Sequence, residues 1–148
     1  MQGKNLLVVT IILTSMFSFV SGVETESIEV TLEWSYKTDG YIVSSPTILH
    51  IEKDKQYEIL IGSTDDKLYC LNNQGNEIWN FQTNSDVRSS SAIWDIDGNN
   101  QVEILFGSDN GNLYCLDIAS NEIWSYTTKD NVFTSPAIAD IDLDLHLK

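Results

Sequence analysis

From about residue 28 onward the chain alternates short apolar runs with polar turns, and the runs are too short and too closely spaced for helices. Between residues 86 and 126 the pattern predicts four strands. The first runs roughly from Ser89 to Ile96, and the second is the apolar run Val102 to Phe106, of the kind expected when both faces of a strand are covered. The polar turn Gly107-Ser108-Asp109-Asn110-Gly111 carries an Asn-Gly pair suited to a tight hairpin. A third strand follows from Asn112 to Asp117, and a turn over Ile118 to Asn121 leads to a fourth from Glu122 to Thr127. Period-two alternation places Trp124 and Tyr126 of that strand on one face. No part of the chain beyond residue 22 shows helical periodicity.

The same pattern recurs every 45 residues. Trp34, Trp79 and Trp124 keep that step, as do Ser45-Pro46, Ser90-Ser91 and Ser135-Pro136. Leu68-Tyr69-Cys70-Leu71 reappears as Leu113-Tyr114-Cys115-Leu116, and Glu58-Ile59-Leu60-Ile61-Gly62-Ser63 corresponds to Glu103-Ile104-Leu105-Phe106-Gly107-Ser108. Laid without a gap on residues 79–123, residues 34–78 are identical at 19 of 45 positions, which makes this an internal repeat.

Four strands in a 45-residue period is the arithmetic of a β-propeller blade. The fold expected is all-β: a partial β-propeller of four-stranded antiparallel blades. Its complete units span about 41–81 and 86–126, and partial units span 28–38 and 132–148. A single small sheet cannot bury both its faces, so Trp34, Trp79 and Trp124 are expected to fill the gaps between neighbouring blades. Burial of each ring is worth roughly 2–3 kcal/mol. Cys70 and Cys115 occupy equivalent strand positions in different units, which sets them too far apart for a disulfide, and small buried core residues are expected there. Lone Arg88 reads as a solvated or salt-bridged surface residue.

Met1 to Gly22 reads as a secretory signal: Lys4 supplies a positive start, Leu6 to Val20 an apolar stretch too short to span a bilayer, and Val20-Ser21-Gly22 small residues for cleavage. The expected location is therefore secreted or at the cell surface, with residues 23–148 forming the repeat domain and no stable membrane span after cleavage. The whole chain has a net charge of −14. Such a surface repels nucleic acid and anionic membranes and attracts cations.

The acids concentrate where a cation could use them. Asp95, Asp97 and Asn99 alternate, so an extended loop can turn their oxygens toward one point, with the Gln101 carbonyl and the Glu103 carboxylate completing the set. Hard oxygen ligands in this number suit Ca²⁺, and Gly98 lets the backbone curl. A polar turn held by Asx caps is the plainer explanation of the same residues. The upstream copy is degraded to His50-x-Glu52-x-Asp54, and the downstream copy, Asp140, Asp142 and Asp144, lacks a distal ligand.

Two resemblances follow from these residues. Leu113-Tyr114-Cys115-Leu116-Asp117 through Trp124 resembles the repeat of PQQ-like (quinoprotein-type) propellers, and Asp95-x-Asp97-Gly98-Asn99 followed by Glu103 is similar to the calcium loop of FG-GAP/VCBS-type repeats. Together they imply a propeller, with calcium but not pyrroloquinoline quinone as the expected cofactor, since a quinone bearing several carboxylates wants more than one cation. A closed propeller has about four to eight blades, so a truncated member is expected, the alternative being a short subunit that closes a ring by oligomerising. The expected function is that of a non-catalytic exported module, calcium-stabilised, binding a protein or glycan at the cell surface or serving as a fragment of a larger propeller protein, with self-association through open blade faces. The alternative is a fragment of a PQQ-dependent quinoprotein oxidoreductase.

Overall fold

The computed structural model describes residues 4–7, 32–51 and 56–139, and every described regular element is a strand. β1 (Lys4–Leu7) pairs antiparallel with β2 (Ser35–Thr38). β3 (Thr47–Ile51), β4 (Gln56–Ser63), β5 (Lys67–Leu71) and β6 (Glu77–Gln82) form one four-stranded sheet. β7 (Ala92–Trp94), β8 (Glu103–Gly107), β9 (Asn112–Leu116) and β10 (Glu122–Thr127) form another. Both sheets are antiparallel meanders in chain order, so they are two blades built on one plan. β1 lies inside the stretch read as a secretory signal, the rest of which falls outside the described residues.

The repeat extends to irregularities of the ladder. In the first blade Cys70 faces Trp79 while Leu71 faces Glu77, leaving Ile78 as a bulge; in the second, Cys115 faces Trp124 and Leu116 faces Glu122, leaving Ile123. The β8–β9 connection is not the two-residue hairpin that Asn110-Gly111 suggests. The Gly111 N–H bonds to the Ser108 carbonyl at 3.1 Å and the Ser108 N–H to the Asn112 carbonyl at 3.0 Å, with Gly111 in the left-handed region at φ 86°. This is a longer turn closed by a left-handed residue. Its first-blade counterpart is Asp66, at φ 70°.

The blades stack face to face. Leu49, Leu60, Leu68 and Cys70 of the first blade meet Ile104, Phe106, Tyr114 and Leu116 of the second around buried Val87, and Trp79, Phe81, Ile93 and Val102 pack against them. The opposite face of the first blade, Ile59, Ile61, Tyr69 and Leu71, is covered by Trp34, Tyr36 and Ile42. β2 therefore stands where the fourth strand of a preceding blade would stand. Each indole also makes a polar contact with the next unit: Trp34 Nε1 donates to the Asn73 carbonyl at 3.0 Å and Trp79 Nε1 to the Ile118 carbonyl at 3.1 Å. The tryptophan is chosen because it fills the seam and satisfies a turn carbonyl in one side chain.

Serines fasten the rest. The Ser44 hydroxyl donates to the Gly62 carbonyl and accepts from the Gly62 N–H, and Ser89 treats Gly107 in the same way. One residue on, the Ser45 N–H donates to Ser90 Oγ at 2.8 Å and the Ser90 N–H to Ser135 Oγ at 3.0 Å, linking successive units. This explains why the predicted strand from Ser89 is observed only from Ala92: the residues before it bond to other segments. Gly62 is required because a Cβ there would lie 2.5 Å from the Val87 carbonyl oxygen of the linker between the blades.

Replacing Trp79 by Ala should lower unfolding stability by about 3–5 kcal/mol, the usual range for an aromatic deleted from a packed site. Trp124→Ala, at the equivalent position but exposed here, should cost about 1 kcal/mol or less at low protein concentration. Urea denaturation of both variants against the parent measures the difference.

Candidate metal centre

The β7–β8 connection carries the acidic loop. Trp94 and Glu103 close its base as a ladder pair, so the chain must reverse over residues 95–102. Gly98 at φ 75° and Asn100 at φ 64° make the reversal, both in the left-handed region that glycine and asparagine tolerate best. The loop then folds its backbone N–H groups onto its own carboxylates. Asp95 accepts from the Asn99 N–H at 3.0 Å and the Asn100 N–H at 2.8 Å, Asp97 from the Asn99 N–H at 3.1 Å, and Glu103 from the Ile96 N–H at 2.7 Å.

One carboxylate oxygen each from Asp95, Asp97 and Glu103 lies within 4.8 Å of the others. Glu103 is only 5% exposed, whereas Asp97 is exposed and Asp95 half-buried. Burial, and then the neighbouring Asp97 and Asp95 charges, hold the Glu103 carboxyl above the ordinary glutamate range, against the opposing Ile96 hydrogen bond. Gathering the three acids this closely therefore makes ionisation of Glu103 costlier than in a free glutamate. A carboxylate oxygen bonded to one N–H keeps a further lone pair, so the donor set is all oxygen and suited to a hard ion.

The remaining expected ligands are placed differently. Asn99 donates its amide to Asp97 at 2.9 Å and accepts the Gln101 N–H at 2.7 Å, so its side chain works inside the loop as an Asx turn. Gln101 enters these contacts through its N–H. In the first blade Glu58 is as buried as Glu103, but His50, at the position of Asp95, lies tilted against Tyr57 with ring centroids 4.9 Å apart. Glu52 and Asp54, like Asp140, Asp142 and Asp144, lie outside the described residues.

Other reactive groups are committed elsewhere. Cys70 and Cys115 are free and buried. Burial, then Glu58, pushes the Cys70 thiol up to about 12; burial, then Glu103 and Asp97, pushes Cys115 up to about 11, so both are unreactive thiols at neutral pH. Arg88 bonds Asp86 at 2.6 Å and Asp109 at 3.0 Å, tying the linker to the second blade's turn. Asp117 is pushed up by burial but held lower overall by the Asn121 amide and the Asn121 and Ala119 N–H groups, which it caps in the β9–β10 turn. Sequence reading had missed this cap and the serine fasteners, although the 45-residue step of the serines was a visible signal.

Stacked four-stranded meanders sealed by a repeated tryptophan define a β-propeller protein of which two blades are described here. The profile of the λ-carrageenase β-propeller domain matches residues 20–93 and 89–141, and the chain belongs to that family. Among solved structures, BamB from Moraxella catarrhalis shares the fold with a TM-score of 0.52 at 21% identity; the match covers 70% of this chain and 29% of BamB. The chain thus spans less than a third of that neighbour's length. A search of curated protein sequences finds no significant match.

The raised Glu103 carboxyl fixes the sign of a pH effect. Its folded-state value lies above the unfolded one, so its ionisation opposes folding, and stability in chelator should fall as pH rises from about 4.3 through the folded value and then level off. Glu103→Gln, which can still accept the Ile96 N–H, should remove that decline and melt higher than the parent at pH 7 in chelator. Thermal melts of both proteins from pH 4 to 8 make the comparison.

Proposed function

We propose that the chain is a non-catalytic, exported β-propeller module whose acidic loop binds Ca²⁺ and whose surface engages a protein or glycan at the cell surface. The observation that carries the calcium reading is the convergence of the Asp95, Asp97 and Glu103 oxygens, one of them from a buried carboxylate. Those three residues would hold the ion. Bound there, it supplies positive charge that offsets their mutual repulsion and ties the loop to the base of β8. The FG-GAP/VCBS-like spacing of the loop agrees with this reading.

The binding role draws on two supports. Trp34, Tyr36, Trp79 and Phe81 are spent on packing between units, and among the described residues Asp95, Asp97 and Glu103 are the acids grouped closely enough to hold a metal ion. The family takes its name from a carrageenase, an enzyme of a polysaccharide, which makes a glycan the first ligand class to test. The PQQ-like repeat is read as a likeness of architecture, because Arg88 is already bonded to two carboxylates. Export rests on the signal pattern of residues 1–22; no helix among the described residues is long and apolar enough to cross a membrane.

At ~10 mM Ca²⁺, a site of the weak extracellular class, with Kd about 10⁻⁴–10⁻³ M, stabilises the fold by about 1.4–2.7 kcal/mol through linkage. Calorimetry should show that increment, and Asp97→Ala should abolish it while leaving the melt in chelator unchanged or slightly higher. An increment of the same size in Asp97→Ala would remove the loop from the calcium reading. Stoichiometric uptake of pyrroloquinoline quinone, followed by absorbance, would replace the binding module with the oxidoreductase.

A further inference from the structure

Three of the described glycines follow an aspartate or an asparagine: Gly40 after Asp39, Gly98 after Asp97 and Gly111 after Asn110. A glycine nitrogen is the least hindered main-chain nucleophile, because no Cβ shields it. The side-chain carbon of the residue before it can therefore close onto that nitrogen as a five-membered succinimide ring. In an unfolded chain asparagine closes fastest, since ammonia leaves an amide more readily than water leaves a carboxylate. The fold treats the three pairs differently.

Asp97 and Asn110 start from the same local geometry. Each side-chain oxygen accepts the N–H two residues on, Asp97 from Asn99 at 3.1 Å and Asn110 from Asn112 at 3.0 Å, and such an Asx turn curls the side chain over the glycine between. Both glycines lie in the left-handed region, Gly98 at φ 75° and Gly111 at φ 86°. At Asn110 both reacting groups are held. The Gly111 N–H is bonded to the Ser108 carbonyl at 3.1 Å, and the amide nitrogen of Asn110, which would leave as ammonia, donates to the Thr83 carbonyl and to the Tyr114 hydroxyl at 2.8 Å. At the acidic loop neither is. Asp97 is exposed, its carboxylate accepts only from Asn99, and the Gly98 N–H donates to no group among the described residues.

Asp39 is exposed as well, but its main chain is clamped. Its N–H donates to Asp65 at 2.9 Å, and the Gly40 carbonyl accepts the Thr38 hydroxyl at 3.0 Å. A Cβ on Gly40 would lie 2.4 Å from the Asp65 nitrogen, so this peptide has no room to swing into a ring.

We propose that the folded chain is modified at the Asp97–Gly98 bond, where aspartate isomerises to isoaspartate, while Asn110, the faster site in an unfolded chain, is spared. The Gly98 nitrogen attacks Asp97 Cγ and the N–Cγ bond forms. One carboxylate oxygen leaves as water, taking the Gly98 N–H proton and one proton from solvent. Water then opens the ring. Attack at Cγ restores aspartate; attack at the main-chain carbonyl carbon of Asp97 breaks its bond to the Gly98 nitrogen and leaves the chain running through Cγ. No atom is gained or lost overall. The product has one more methylene in its main chain and its carboxylate directly on Cα. That draws the Asp97 oxygens away from those of Asp95 and Glu103 and displaces the Asn99 and Asn100 N–H groups that Asp95 accepts.

Peptide mapping with electron-transfer fragmentation, which distinguishes isoaspartate from aspartate, tests this on the full chain. One sample is held for weeks at physiological temperature and neutral pH in chelator, and another in concentrated urea. The chelator makes the outcome independent of whether the loop binds Ca²⁺. In the folded chain isoaspartate should accumulate at Asp97 several-fold faster than at Asp39, and several-fold faster than Asn110 deamidates; in urea Asn110 should overtake both. Asp97→Glu, whose longer side chain would have to close a six-membered ring, should lose the folded-state product and keep the parent's circular dichroism. An Asp97 that stays aspartate in the folded chain, deamidation of Asn110 ahead of it, or the same order in urea as in buffer overturns the proposal.

Discussion

A four-stranded sheet with two apolar faces has no stable existence alone, and the rest of this structure follows from that constraint. The two described blades bury their facing sides in one seam, and a blade needs cover on its other side as well. The first blade has both: the second blade on one side, and Trp34, Tyr36 and Ile42 on the other. Apolar contact by itself is non-directional, so it could not fix how one blade sits on the next. The indole N–H adds the direction. Donation by Trp34 to Asn73 and by Trp79 to Ile118 sets each outer strand over a particular turn of the following unit.

Near the inner strands the backbones approach too closely for large side chains, and small polar residues replace them. Ser44 and Ser89 satisfy both polar groups of Gly62 and Gly107, where no ladder partner reaches. Backbone geometry is kept more strictly than residue identity. Gly75 and Ser120 share a left-handed conformation at φ 78° and 66°, as do Asp66 and Gly111 at 70° and 86°. At Gly75 the side chain is excluded as well, since a Cβ would collide with the Trp34 ring. The repeat is a repeat of conformations, with residue choice relaxed wherever the conformation can be held by other means.

The acidic loop shows the same economy. It hangs from the Trp94–Glu103 pair, and its own N–H groups already soften the charge of its acids. What they leave is a buried Glu103 beside two aspartates, whose charges add to burial in raising its carboxyl above the ordinary glutamate range. The first blade keeps the buried acid as Glu58 but has His50 turned onto Tyr57, so the two blades differ in their chemistry while agreeing in their packing.

Sequence by itself determined the blade, its period and its seams. A 45-residue step in tryptophan, serine and glycine has few physical solutions, and strand length follows from local apolar runs, which is why the predicted Glu122–Thr127 is the observed β10 and Val102–Phe106 lies one residue from β8. Tertiary structure alone decided what depends on neighbours. It shortened the strand expected from Ser89, because those residues bond across units; it turned Asn99 into its own loop; and it exposed Trp124 while burying Trp79 more deeply. Identical repeats read alike along the chain, but burial and hydrogen bonding belong to pairs of surfaces, and only the folded array shows which surfaces have met.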